Sequence, residues 1–250
     1  AVSKVVSAKV ALGEYRNSWR AFKGALYMAL VVGAAGSALT FFGAGFLTGT
    51  LLNTPESELC LKVLALAVFV MAVMGVLRGF FQGMGTMMPT AISQIIEQIV
   101  NAIVSIAAAS YLFSYGVKLD AAAGITNGKS GAIYGAAGST LGTSLGAAAG
   151  LLFLIIVMLM YNRVLQKNMR RDHVSRQESY ASTLRVLIMT IVPVILSTAV
   201  YNISGIVDQG VFKYLMLDVQ KADKSTVEIY WGIYVGKYKL LTNVPIAVAS

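Results

Sequence analysis

The chain has 250 residues, of which 57% are hydrophobic and only 12% charged, with a mean hydropathy of +0.71. A water-soluble domain carries about 25% charged residues, so this composition excludes one and identifies a membrane protein. The single cysteine, Cys60, excludes an internal disulfide and a cysteine metal cluster, and the net charge of +9 is distributed between apolar runs, a pattern of membrane topology rather than of a nucleic-acid partner.

Residues 1 to 8 read as the tail of a preceding span, without a signal-peptide pattern, and Lys4, Lys9, Arg16, Arg20 and Lys23 then mark a basic helical connector. The apolar run Val244 to Ala249 at the other end is interrupted, so we expect an internal segment of a longer protein. The first complete span runs from about Gly24 to Gly49, with Gly33, Gly36, Thr40 and Gly43 forming a small-residue packing stripe. In the loop that follows, Thr54 is placed to cap the next helix and Pro55 to occupy its first position. A second span, Leu61 to about Phe80, returns to Arg78, and Gly79 and Gly83 are expected to bracket a bend.

The third span, from Thr90 to Tyr111, is polar in its first half. Ser93, Glu97, Asn101 and Ser105 repeat every four residues and share one helix face, with Gln94 and Gln98 beside them. A glutamate in hydrocarbon costs several kcal/mol unless it meets water, a partner or a proton, so this face should look inward, at a cavity or at another helix. Gly116 to Ser130 is expected to be a polar outer loop. A fourth span begins near Gly131, and Gly138, Gly142, Gly146 and Gly150 form a groove for a neighbouring backbone.

Asn162 to Arg185 reads as a basic cytoplasmic loop. The fifth span, Val186 to about Val207, carries Pro193, which removes one backbone hydrogen bond near the carbonyl of Met189. A mixed-charge loop follows, and a sixth span starts at Trp231 and Tyr234 and carries Lys237 and Lys239. Twelve of the 20 Lys and Arg residues lie in the inner segments and six in the outer loops, which supports one alternating orientation.

Three stretches carry a resemblance. They are the opening from Ala1, the turn Leu77-Arg78-Gly79-Phe80-Phe81-Gln82-Gly83 with Met88-Pro89-Thr90 and Glu97-Gln98 after it, and Gly236-Lys237-Tyr238-Lys239-Leu240-Leu241-Thr242-Asn243-Val244-Pro245. The chain resembles bacterial flippases for lipid-linked cell-wall precursors. These form a polysaccharide biosynthesis family within the multidrug and polysaccharide exporter superfamily, and the resemblance is closest to its branch of stage V sporulation protein B and Gram-positive lipid II flippases. It implies an all-α, polytopic membrane helix bundle of the MATE-like kind, covered here from the end of the second helix to the start of the eighth. Residues 1–161 would form most of the first lobe, 162–185 a cytoplasmic linker, and 186–250 the start of the second lobe.

The implied activity is flipping of an undecaprenyl-linked sugar diphosphate across the bacterial cytoplasmic membrane by alternating access, in peptidoglycan biosynthesis. A drug/cation antiporter and a flippase for another polysaccharide lipid are the alternatives within transport. A channel or a scaffold in cell-envelope assembly is the alternative outside it. The implied partners are the lipid-linked substrate and membrane lipids, with no nucleic acid. No cofactor is implied, and coupling would be to a monovalent cation or the membrane potential. No nucleotide loop, metal-binding histidine pair or catalytic triad can be assembled, and the lone His173 lies in a charged loop, so an enzyme is not expected. The candidate substrate-binding residues are Lys237, Glu97, Asn101 and Arg78. Lys237 matches a basic position of the family's eighth helix and is read as a diphosphate contact. Glu97 is read either as a cavity acid or as the partner of a polar group on another helix, and Arg78 as a surface anchor or a substrate contact.

Overall fold

The computed structural model describes residues 1–51, 54–124, 128–170, 172, 179–239 and 241. Arg171, His173, Arg176 and the closing run from Thr242 lie outside them. Among the described residues seven α-helices carry the fold: α1 (Val2–Ala11), α2 (Tyr15–Phe46), α3 (Glu58–Gly83), α4 (Met88–Ala122), α5 (Lys129–Arg170), α6 (Tyr180–Tyr214) and α7 (Lys224–Ile233). Wider π turns, Leu47–Leu51, Leu215–Val219 and Tyr234–Tyr238, extend α2, α6 and α7. There is no strand among the described residues.

Among the described residues five helical segments are long and apolar enough to cross a membrane: Tyr15–Thr50, Pro55–Gly83, Met88–Ala122, Lys129–Arg170 and Tyr180–Val219. About 20 residues suffice for the hydrocarbon core, so each has length to spare. Large apolar side chains such as Leu39, Phe42 and Ile106 are 74%, 84% and 71% exposed, as befits surfaces whose solvent is acyl chain. The fold is therefore an all-α, multi-pass membrane bundle. It divides into two compact units, Ala1–Ile191 and Val192–Ser250.

Two expected loops are largely helix. α4 continues through Gly116 to Ala122 and α5 starts at Lys129, so the polar segment between them shrinks to six residues, 123–128. Gly116 stays helical because the backbone of Ser130 passes within 2.5 Å of where its Cβ would stand, a contact that only glycine permits. Asp120, 4% exposed, then accepts a hydrogen bond from the Ser130 N–H (3.0 Å) and satisfies an orphan donor at the start of α5. At the other end of the same helix, residues 162–170 belong to α5 rather than to a loop. Asp172 leaves that helix to accept from the backbone N–H of Arg16 (2.9 Å) in the first turn of α2. Thr54 makes no side-chain capping bond, although Pro55 does open the short turn Pro55–Ser57 before α3.

The bend after α3 is also placed differently. Gly79 and Gly83 lie within the helix and the chain turns at Gly85, with φ of +82°. The two helical glycines instead let α1 lie against α3. A Cβ on Gly79 would sit 3.0 Å from Val2 Cβ, and one on Gly83 would sit 2.6 Å from Val6 Cβ. Beside this contact Trp19, Phe22, Phe80, Phe81 and Tyr161 form a chain of ring contacts, with Phe22 and Phe80 centroids 4.6 Å apart. Phe80 and Phe81 are essentially inaccessible. Helices with no water to exclude associate through such dispersion contacts and close backbone approach.

α4 packs almost wholly on α5, along the glycine groove. Gly138, Gly142, Gly146 and Gly150 meet the backbone of α4 at Ala108, at Ser105 and Asn101, at Glu97, and at Ser93. A Cβ on Gly146 would come 2.7 Å from the Glu97 carbonyl oxygen, whereas one on Gly75 would meet nothing within 4 Å. Gly146→Ala should therefore lower stability by about 1–3 kcal/mol through overpacking, read as a lower midpoint of thermal unfolding in detergent. Gly75→Ala in α3 should leave that midpoint unchanged or raise it.

Candidate functional site

The geometry of α4 follows from its sequence read at 100° per residue. Ile92, Ile95, Ile99, Ile103 and Ile106 fall on one side and are all exposed, the side for lipid. Opposite them, Ser93 and Glu97 turn toward the glycine groove, where missing side chains on α5 leave room for polar ones on α4. Ser93 is completely buried and Glu97 is 8% exposed.

Arg78 reaches this interior from α3. Its Nη2 donates to Glu97 Oε2 at 2.7 Å, and its Nε donates to Ser93 Oγ at 3.0 Å. The Ser93 hydroxyl in turn donates to the Thr90 carbonyl at 2.7 Å. Arg78 lies five residues before the end of α3 and Glu97 nine residues beyond the start of α4; a cation and an anion among apolar helices would each be costly alone, and together they form a neutral, hydrogen-bonded node. Arg78 and Glu97 thus belong to one ion pair.

Asn101 lies one turn further along α4 and is half-buried. The Ser105 hydroxyl, 2.9 Å from both Asn101 Oδ1 and the Ser139 carbonyl, shares its hydrogen between them. Gln94 and Gln98 flank this line and are exposed, on a different side of the helix from the isoleucines. α4 therefore has three faces: one for lipid, one closed on α5 around the charged node, and a narrow amide-bearing one that is open. A larger groove of about 600 Å³ between α2, α3 and α5 is walled by Phe41, Phe42, Leu66, Phe69 and Leu141, and so offers little for a polar ligand.

The second unit has a polar hollow of its own, of about 430 Å³, lined by Asn202, Ser204, Asp208, Gln209, Trp231 and Lys239 among others. Gly205 makes room for the lysine, whose Nζ lies 3.7 Å from where a Cβ would stand. Trp231 continues into a ladder of rings, Phe212–Trp231–Tyr234–Tyr238, with successive centroids 5.3, 5.4 and 5.6 Å apart. Lys237 is exposed in the π turn Tyr234–Tyr238 and does not line the hollow. The spacing of the two lysines could not show this, because a π turn shifts the register of every side chain after it relative to an α-helix. The sequence marks Lys239 only as a second, interfacial cation on the sixth span, and no spacing signal places it beside Gly205 and in the hollow. Among the described residues no group of three or more His, Cys, Asp or Glu side chains could hold a metal ion.

The charged node yields a direct test. Arg78→Ala strands a buried carboxylate and should cost about 3–5 kcal/mol, seen as loss of folded protein in the membrane. Arg78→Met combined with Glu97→Leu removes both charges and should recover most of that loss in a double-mutant cycle of detergent unfolding.

A family model described as polysaccharide biosynthesis protein matches residues 12–116, the stretch from the end of α1 through most of α4 that holds Arg78, Gln94, Glu97, Gln98 and Asn101. No curated protein and no solved structure matches the chain. Over those residues this multi-pass membrane protein is similar to polysaccharide biosynthesis proteins.

Proposed function

We propose that the chain is part of a flippase that carries a lipid-linked oligosaccharide across the bacterial cytoplasmic membrane by alternating access, with an undecaprenyl-diphosphate peptidoglycan precursor as cargo. The observation that carries this reading is a coincidence. The segment similar to polysaccharide biosynthesis proteins is also the one that turns the amide side chains of Gln94 and Gln98 to a face that is neither lipid-like nor closed by packing, with the half-buried Asn101 at its edge. Side-chain amides both donate and accept, which suits a sugar headgroup rich in hydroxyls. Residues 1–161 then belong to most of a first lobe and 186–250 to the start of a second, and the chain passes from one to the other over 162–185, where α5 ends and α6 begins.

The diphosphate needs cations. Lys239 in its hollow and Lys237 beside it supply point charges, without the bidentate geometry of arginine. Arg78 and Glu97 act as a matched pair that holds α3 against α4, and substrate meets the amides next to them. The work is transport rather than covalent chemistry, driven by a monovalent cation or the membrane potential.

The complete protein in liposomes should flip a labelled undecaprenyl-diphosphate precursor and leave a small cationic dye behind. Movement of the dye alone would assign a drug/cation antiporter, and movement of neither would assign a channel or scaffold. Lys239→Ala should slow flipping roughly ten- to hundred-fold, the loss of one charge-assisted hydrogen bond, and Lys237→Ala by less. The reverse order would return the diphosphate contact to Lys237.

A further inference from the structure

We propose that the projecting end of α5 binds the phosphodiester of an anionic phospholipid at the membrane surface. The apolar run Leu151 to Met160 ends at Tyr161, an amphipathic ring of the kind that marks the edge of the hydrocarbon. Arg163 follows within a turn, with Lys167 about 6 Å and Arg170 about 10 Å further along the axis at 1.5 Å per residue. The headgroup layer is about 5–7 Å deep on each side of a bilayer, so Arg163 and Lys167 straddle the level of the lipid phosphates.

These three residues and Gln166 fall within one third of the helix circumference and enclose a hollow of about 370 Å³. All four are exposed, whereas Leu165 between them is fully buried and Met169 packs against the core. The buried pair fixes the rotation of the helix, so the cationic face is held outward by packing. Attraction to the helix dipole accounts for cations only in the last turn and does not reach Arg163.

The described carboxylates of this end are already engaged. Asp172 accepts from the Arg16 N–H, and Glu14 takes the Asn17 amide at 3.1 Å and lies 3.8 Å from Lys9 Nζ. Arg16 itself donates from Nε to the Met169 carbonyl at 3.2 Å, which sets a further guanidinium beside Arg170. A phosphodiester supplies what this face lacks, a negative charge with acceptor oxygens only. Two guanidinium forks, an ammonium and an amide can each donate to it.

The test titrates the detergent-solubilised complete protein with phosphatidylglycerol, phosphatidylcholine or inorganic phosphate and counts bound molecules by native mass spectrometry. Phosphatidylglycerol should bind in preference to phosphatidylcholine. Arg163→Gln/Lys167→Gln/Arg170→Gln should weaken it about a hundred-fold, at roughly a factor of five for each cation near an anionic lipid. Arg163→Lys/Arg170→Lys, which keeps the charge, should retain most binding and shows that the helix end is intact. Lys4→Gln/Lys23→Gln/Arg185→Gln removes the same charge elsewhere and should change affinity less than five-fold. Equal losses in the two triple variants, equal binding of the two lipids, or saturation by inorganic phosphate alone would overturn the proposal.

Discussion

The approach of α4 to α5 along Gly138, Gly142, Gly146 and Gly150 is the constraint on which the rest of the first unit depends. Four missing side chains let two backbones come close enough for dispersion to act along the whole crossing. The same absence creates space for side chains from the other helix, and that space is where Ser93 and Glu97 lie. Only because Glu97 is held there can Arg78 cross from α3 and form a 2.7 Å ion pair with it. Packing, charge and the α3–α4 turn are thus one arrangement.

Polar groups elsewhere follow the same economy. Asp120 and Asp172 do not decorate loops; each accepts from a backbone N–H in the first turn of a helix that starts elsewhere in the chain. Each contact ties one helix end to another at the edge of the bilayer, where unsatisfied donors are costly. On α4 the amide flank of Gln94 and Gln98 is left open, and the second unit has its own polar hollow lined by Asp208 and Lys239.

Much of this was legible in the sequence because hydrocarbon imposes strong rules. The first five long apolar runs and the glycine groove read correctly, since nothing but a helix satisfies its own backbone there; the expected sixth span, from Trp231 on, lies partly outside the described residues. The i,i+4 polar repeat of α4 also read correctly as inward-facing, but periodicity could not say which helix it would meet. Loop boundaries were misread where charge and glycine were taken for irregular structure. Gly116 and residues 162–170 are helical because a helix can project beyond the hydrocarbon with its charges solvated, and because a glycine can mark a close neighbour as readily as a turn. Gly79 and Gly83 were misread for the same reason, since the partner that needs them, α1, is distant in sequence. The π turn at Tyr234–Tyr238, after which Lys239 lines the hollow while Lys237 does not, leaves no signature that composition or spacing could reveal.

The central claim is that α4 turns its amide flank to water and its isoleucines to lipid. Single cysteines at positions 94, 98, 95, 99 and 103, placed in a complete protein whose Cys60 has been replaced by serine, measure this through their rates of reaction with a charged maleimide in native membranes. The account predicts fast labelling at 94 and 98, slowed by added lipid-linked precursor, and little labelling at 95, 99 and 103. Equal rates around the helix, or faster reaction at the isoleucine positions, would contradict it.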